Sequence, residues 1–452
     1  MRLMLLSLPF VLAGCAVAWQ GDYDRLAVDI DRSATHLDLG SRTQGPSTDP
    51  ELDKMLSDTL DLDVLIAAAL DRNPELRESL ARAKAGVAEV RRVSSLDDPM
   101  LKVEAEGVPI HQPGALNRDQ TNMLGLRQDF PFPGNLNLKG EAALRDTESM
   151  YQMHRDRRID IVSRVKKAYF DYYSMQKELE IHLEHVKILE DFEKISDAKF
   201  RTGTVSQQDV LKPQVELVLL HNDVLAIEQK IGLARAILNS LLNRPSDAPL
   251  GKPSEIAPPD EKFDVQELTV KALASRPDVL AAQLRVRSTR TSLEVAGREA
   301  TLPNFSIGAD YWQMPDAPND AYGVMFSINL PWLTGKHRAE VARIEHSLRA
   351  DEAAVDTARN KASLEVRDAY LRVEAARRSV VLFKGELLPK SRQSVEVSRA
   401  SYEKDKASFL DLLDAERSQR DIRLKSYQAI AQYESAVADL ERAVGTLLRR
   451  KP

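Results

Sequence analysis

Four segments of the 452-residue chain return in the same order about 200 residues later. LIAAALDRNPEL (Leu65–Leu76) returns as LTVKALASRPDV (Leu268–Val279), with Pro74 matched to Pro277. FPFPG (Phe130–Gly134) returns as LPWLTG (Leu330–Gly335), VKKAYFDY (Val165–Tyr172) as VRDAYLRV (Val366–Val373), and SQQDVL (Ser206–Leu211) as SFLDLL (Ser408–Leu413). Ordered matches at one offset mark an internal duplication, and a duplication governs how each local motif is read. It divides the chain into a first repeat, 61–243, a Pro-rich linker, 244–263, and a second repeat, 264–449.

Both repeats carry the same succession of elements. A long helix comes first (Leu62–Ser95; Val265–Glu299). Two strand-like runs follow, and then a still longer helix (Leu136–Arg201; Lys336–Glu403). A tight turn leads to a last helix (Ser206–Leu242; Ser408–Leu448). In the first of the longest helices Val162, Val165, Tyr169, Tyr172, Met175, Leu179, Leu183, Val186, Leu189 and Phe192 recur at steps of three and four, as in a coiled-coil seam. At 1.5 Å per residue, about 65 residues span on the order of 100 Å. Scarce glycine (19), few aromatics (6%) and abundant charge (29%) fit long helices better than an all-β fold. The net charge of −6, with both signs interspersed, lacks the basic patch of a nucleic-acid binder.

The strand-like runs are Met100–Val108, Asn122–Phe130, Asn304–Trp312 and Tyr322–Leu330. Several alternate apolar with small or polar residues, and each has about the nine residues a tilted membrane strand needs. Four strands in an open sheet cannot sit in lipid, because the edges leave backbone groups unpaired. Either several chains close one barrel, or the two hairpins are soluble and pack between helices.

The N-terminus, MRLMLLSLPFVLAGC, has a basic end and a short apolar run, which is the pattern of an export signal over 1–14. Its LAGC ending resembles a bacterial lipobox. That resemblance implies cleavage before Cys15, the chain's one cysteine, and a lipid on its thiol. Ala16 in the next position implies sorting to the outer membrane. Residues 15–60 are polar and irregular and are expected to be a lipidated tether. No other segment approaches 18 unbroken apolar residues, so no transmembrane helix is expected in the mature protein.

Each tight turn is followed by Ser-x-x-Asp: Ser206 to Asp209 and Ser408 to Asp411. This is a capping-box variant, with serine at the N-cap and a carboxylate at N3, near the positive helix end. Asp414 shares a face with Asp411, and a cap needs one carboxylate, not two. The pair Asp411 and Asp414 is compatible with a metal site, an acid/base pair, an ion filter or a cap. No third ligand stands nearby, and no phosphate-loop, dinucleotide or nucleophile-elbow motif occurs. An enzyme is therefore not expected, nor a bound metal or cofactor. His182 and His185 flank Glu184 on the long helix without forming HExxH, and read as solvated positions. The ten methionines are scattered.

The duplicated plan, LDRNPEL and LASRPDV opening the halves, FPFPG and LPWLTG after the hairpins, and SFLDLLDAE in the last repeat resemble the TolC-like outer-membrane efflux factors. RTGTVSQQDVLKPQVEL with FPFPGNLNLKGEA resembles their heavy-metal cation-efflux branch more than the drug or toxin branches. The resemblance implies a mainly α fold with a small β part. Three chains would form a 12-strand transmembrane β-barrel, continued by a trimeric α-helical barrel across the periplasm. A periplasmic adapter would dock at the turns and link the tube to an inner-membrane RND-type pump, which supplies the energy for otherwise passive export. Tyr402 would help hold the periplasmic gate shut, with Asp411 and Asp414 lining it. Arg201 and Gly203 become the candidates for adapter docking. One departure stands out: Asp405 occupies a position of the second turn where the family often has glycine. The alternatives are a drug-efflux or type I secretion channel, or a coiled-coil lipoprotein scaffold or adapter that forms no channel.

Overall fold

The structure is a computed structural model and describes residues 18–35, 50–106, 121–256, 262–313, 320–404 and 406–448. Cys15 and Asp405 fall outside these residues, as do 107–120 and 314–319 of the strand-connecting loops. In chain order the elements are α1 (Gln20–Thr35), α2 (Pro50–Asp58), β1 (Thr59–Leu60), α3 (Leu62–Arg72), α4 (Pro74–Ser94), β2 (Met100–Glu106), β3 (Thr121–Phe130), α5 (Asn135–Arg201) and α6 (Gln207–Leu241). The second half adds β4 (Lys252–Pro253), α7 (Val265–Ser275), α8 (Pro277–Thr301), β5 (Phe305–Gln313), β6 (Ala321–Ile328), α9 (Lys336–Leu382), α10 (Leu388–Glu403) and α11 (Phe409–Val444). The described residues fall into two compact units, one drawn from 18–33, 81–151 and 281–354, the other from the rest of those described.

Each repeat opens with two helices where the sequence reads as one. A proline ring disfavours the helical conformation in the residue before it. Asn73 (φ −64°, ψ 126°) and Arg276 (φ −68°, ψ 125°) are accordingly extended. Pro74 and Pro277 begin the next helices, at the position where a missing N–H costs nothing. The two pre-proline residues also serve one purpose. Asn73 Nδ2 donates to Leu241 O (3.0 Å) and Arg276 donates to Ala443 O (3.2 Å). These carbonyls end α6 and α11, where no intrahelical partner exists. The last helix of each repeat is thus tied to the first.

The long helices differ. α5 is continuous over 67 residues. Its counterpart is not the single helix expected, because a five-residue π-helical segment, Phe383–Leu387, separates α9 from α10. The offset between the repeats is 201 at Val165/Val366 and 202 at Ser206/Ser408. The second repeat therefore holds one extra residue in this interval, and a wider i→i−5 turn, here Leu388 N–H to Phe383 O, absorbs it. The wider turn also accommodates Pro389, which has no N–H to give and whose ring would clash with a carbonyl four residues back.

In the first unit α1 is a packed helix, which corrects the expectation of an irregular tether. Trp19, Tyr23, Leu26 and Ile30 are buried, Trp19 Nε1 donates to Asn137 O (2.9 Å), and Arg91 donates to Tyr23 Oη (2.6 Å). The four strands form one antiparallel sheet in the order β2-β3-β5-β6, leaving β2 and β6 as edges. Register puts Leu101, Leu126, Ala309 and Val324 in one row and Val103, Leu124, Tyr311 and Tyr322 in the next. Phe130, Phe305 and Phe326 stack on the same face. The opposite face carries Lys102, Glu104, Arg127, Asp129 and Asp310. Glycines make room there: a Cβ at Gly125 would collide with Asp310 Oδ1, and one at Gly323 would stand 2.7 Å from the Trp312 ring.

In the second unit α2 is held by the buried Arg244, which donates to Asp53 (2.9 Å) and Asn239 Oδ1 (3.0 Å), while β1 pairs in parallel with β4. The tether and the linker therefore both contain packed structure. α9 and α11 share a core of Val366, Val373, Val380, Tyr433, Val437 and Leu440. α5, α6 and α11 share another, with Val186, Leu189, Phe192, Leu220, Phe409 and Leu412. The expected seam of α5 holds at Val165, Tyr169, Tyr172, Val186, Leu189 and Phe192, but Leu183 faces out. His182 and His185 take its place, at 6% and 3% exposure, so they are core residues rather than solvated ones. Among the described residues no helix is long and apolar enough to cross a membrane.

Candidate functional site

The sequence-selected residues gather at the two turns of the second unit. At the first, the Gly203 N–H bonds to Phe200 O (2.9 Å) and the Thr204 N–H to Lys199 O (2.9 Å), the bond pair of a Schellman motif. Gly203 is left-handed (φ +72°), and nothing lies within 4 Å of where its Cβ would be. The glycine is thus required by backbone conformation alone. Among the described residues Arg201 pairs along its own helix, with Asp197 (2.7 Å), and is exposed beside Gly203. Asp209 accepts from the Ser206 N–H (3.0 Å) and hydroxyl (2.8 Å).

The second turn repeats one of these bonds and the cap. The Lys406 N–H reaches Ser401 O (2.8 Å), the counterpart of the Thr204–Lys199 bond, in a turn that has Asp405 where the first has Gly203. Asp411 accepts from the Ser408 N–H (2.9 Å) and hydroxyl (2.7 Å), and the Asp411 N–H returns a bond to Ser408 Oγ (3.2 Å). The Ser408 hydroxyl, then its N–H, hold the Asp411 carboxyl below its ordinary pKa. Asp411 is therefore a charged cap.

Tyr402 is half-buried, edge-on to Phe409 (5.9 Å), with Lys199 Nζ 4.1 Å over its ring. That cation–π contact brings the two turns together. Asp414 remains 75% exposed but has a neighbour, Arg417, at 3.6 Å. Arg417 also donates to Glu216 (3.0 Å from Nε), and Arg420 approaches the same carboxylate (3.6 Å). An arginine three residues on could have been read from sequence as a partner for Asp414. Glu216, on the other hairpin, could not.

His185 lies beside this network. Burial, and then Arg420, push its pKa down to about 4; Glu216 and Asp421 oppose that and His182 adds to it. Its Nε2 has no hydrogen-bond partner among the described residues. His182 Nδ1 donates to Glu178 O (2.8 Å). Among the described residues no three His, Cys, Asp or Glu side chains could hold a metal ion together.

Paired helical hairpins with capped turns, and a four-stranded antiparallel sheet with one apolar face and, among the described residues, two unpaired edges, define a mostly helical chain with a small β part. The chain belongs to the outer membrane efflux protein family, whose model matches residues 65–244 and 268–446. It is 25% identical to outer membrane protein OprJ of Pseudomonas aeruginosa, over 97% of this chain and 94% of that one. It is 21% identical to cation efflux system protein CusC of Escherichia coli O157:H7, over 92% of each. The fold matches that of the outer membrane protein VceC of Vibrio cholerae with a TM-score of 0.72 at 19% identity, covering 86% of this chain and 97% of that one.

Proposed function

We propose that three copies of this chain close one outer-membrane channel of a tripartite efflux system, each giving four strands to a 12-strand barrel. The observation that carries this is the sheet. Leu101, Val103, Leu124, Val324 and Phe326 are all at least half exposed on one face, and among the described residues neither edge of the sheet is paired. In hydrocarbon every backbone group must be paired, so such a sheet is stable in lipid only when copies close it. The polar face, with Lys102, Glu104, Arg127 and Asp310, would line the lumen.

The capped turns would form the periplasmic end, with Arg201 and Gly203 offered to a periplasmic adapter and, through it, to an inner-membrane RND-type pump. Threefold repetition of Asp411 and Asp414 gives the gate an acidic character that Arg417 moderates, and acidic rings favour cations. Together with the likeness to the cation efflux system protein CusC this supports heavy-metal cations as cargo, and drug efflux is the second arm of the cargo test. Cys15 carries a lipid that anchors the chain in the outer membrane.

Detergent-extracted protein is expected to be trimeric and to form cation-preferring pores in planar bilayers. Absence of conductance, even in variants that open the turns, refutes the channel. Asp411→Asn with Asp414→Asn should weaken cation preference; unchanged selectivity leaves Asp411 only its cap. Cys15→Ser should abolish lipid labelling, and persistent labelling refutes the anchor. A deletion strain challenged with divalent metals, copper, silver and drugs identifies the cargo class.

A further inference from the structure

Within the second unit a groove runs along α5, between α3 and α11. α11 is joined to α5 by Arg442–Asp160 (2.7 Å), Lys166–Glu441 and Lys167–Asp439 (3.0 Å). The partners run in opposite order along the two helices, so α11 lies antiparallel to α5. α3 is held to α5 by Tyr169, whose hydroxyl donates to Leu60 O (3.4 Å) just ahead of that helix. The three helices enclose a cavity of about 1200 Å³, lined by Ile66 and Leu70 of α3, Ile159 and Val162 of α5, and Val437 and Ala438 of α11. α3 and α5 bury other apolar residues, Leu65, Ala68 and Ala69 on the one and Ile161 and Val165 on the other. What they turn to the cavity is a second, half-buried apolar face. Along α5 the lining extends from Arg155 to Phe170, on the order of 22 Å of helix.

Charge distinguishes the two ends of the groove. At the Phe170 end Glu255 is engaged, accepting from the Tyr173 hydroxyl (2.9 Å) and from Lys177. Along the walls Lys166 is neutralised by Glu441 and Arg442 by Asp160. Asp63 and Glu434, which also line the cavity, have partners as well. At the other end Arg155 and Arg158 are exposed and have no acidic partner among the described residues; Arg155 donates to Gln152 (3.1 Å). An apolar trough with two unmatched guanidiniums at one end fits a ligand that is apolar along its length and anionic at its tip. The chain leaves water in the trough, and guanidinium holds a carboxylate or sulfate by charge-assisted hydrogen bonds. The volume lies near the upper end of what encloses a drug-sized ligand, which suits one chain rather than two.

We propose that this groove binds a single-chain anionic amphiphile, its head group on Arg155 and Arg158 and its chain laid along α5 towards Phe170. Every residue of the groove comes from one copy, so the site is independent of the ring and cargo readings above.

The test uses full-length protein in a non-ionic detergent, with ω-bromoundecanoate as the probe, because its terminal bromine quenches tryptophan on contact. Ile66→Trp reports from the groove. The native Trp19, Trp312 and Trp332 do not line it and report probe held only by the detergent. Quenching should saturate in Ile66→Trp and not in the parent protein. Arg155→Gln with Arg158→Gln should weaken binding about tenfold or more, as should the uncharged ω-bromoundecanol. Quenching that never saturates, or that the parent protein shows equally, overturns the site. Equal binding of the alcohol, or undiminished binding by the double variant, overturns the anionic head group. Displacement of the probe by phosphatidylglycerol as readily as by dodecanoate overturns the single-chain occupant. Should Ile66→Trp fail to fold, native mass spectrometry of the unaltered protein with dodecanoate decides: one adduct per chain, lost in the double arginine variant, is expected, and no adduct overturns the site.

Discussion

Replacing His185 by leucine should remove a large part of the acid sensitivity of the helical unit. His185 is 3% exposed, and its pKa of about 4 lies well below the ordinary 6.5. His154 is its counterpart higher on α5: buried, bonded to Ser79 Oγ through Nδ1 (2.8 Å), and lowered to about 4 by burial and then Arg158. In each case the folded state binds its proton less readily than the unfolded state. The stability they contribute is complete above pH 6.5 and is lost as pH falls towards 4. Each should cost about 2 kcal/mol of stability by pH 5 and about 3 kcal/mol by pH 4.

Leucine at 185 has no proton to take up, and it occupies a position that the flanking seam residues Ile181 and Leu189 already make apolar. It also removes the unbonded Nε2, so stability at pH 7.5 should rise or stay constant. The assay is denaturant unfolding of the detergent-extracted protein by far-UV circular dichroism at pH 7.5 and 5.0. The difference between the two pH values should shrink by about 2 kcal/mol in His185→Leu. An unchanged difference in a folded variant, or a His185 ring that titrates near pH 6.5 by NMR, refutes the reasoning.

Gly203 sits in the left-handed region with open space around it. Gly203→Ala should therefore cost about 1 kcal/mol through the backbone alone; Gly203→Asn should cost less, and thermal unfolding checks both. Arg276→Met removes bonds to Asp278 (2.8 Å), Glu365 (2.5 Å) and Ala443 O. It should destabilise by about 3 kcal/mol, read by denaturant unfolding. Phe326→Arg, on the apolar face of the sheet, should cost about 3 kcal/mol at mid-membrane and reduce the outer-membrane fraction seen by density centrifugation. Deleting Gly385 together with Pro389→Ala should restore a continuous helix and fold with undiminished stability, whereas deleting Arg367, within a regular stretch of seam, should unfold the hairpin; circular dichroism separates the two.

The repeat, the strands and the caps were legible because their signals are local: an offset, a period of two, a serine three residues before an aspartate. The breaks at Asn73 and Arg276 were equally local, since both residues precede proline. Helix α1 was written in the 4-3-4 spacing of Trp19, Tyr23, Leu26 and Ile30, which the polar composition around it obscured. The seam of α5 was misplaced by one residue for a chemical reason: leucine at 183 outweighs histidine at 182 and 185 on any hydropathy scale, while packing here buries the histidines. The bond from Arg417 to Glu216 joins residues 201 positions apart and has no local signature. Only the fold, by setting α6 beside α11, could reveal it.

The differences between the halves are as informative as their likeness. Near the second turn Tyr402 stands for Phe200, Phe409 for Gln207, Asp414 for Lys212 and Arg417 for Val215. Val215 is exposed on α6, whereas Arg417 turns towards Glu216 and ties the second hairpin to the first. The same substitutions that give the second turn its half-buried tyrosine and its acidic pair also tie that hairpin to the first, Tyr402 through Lys199 and Arg417 through Glu216.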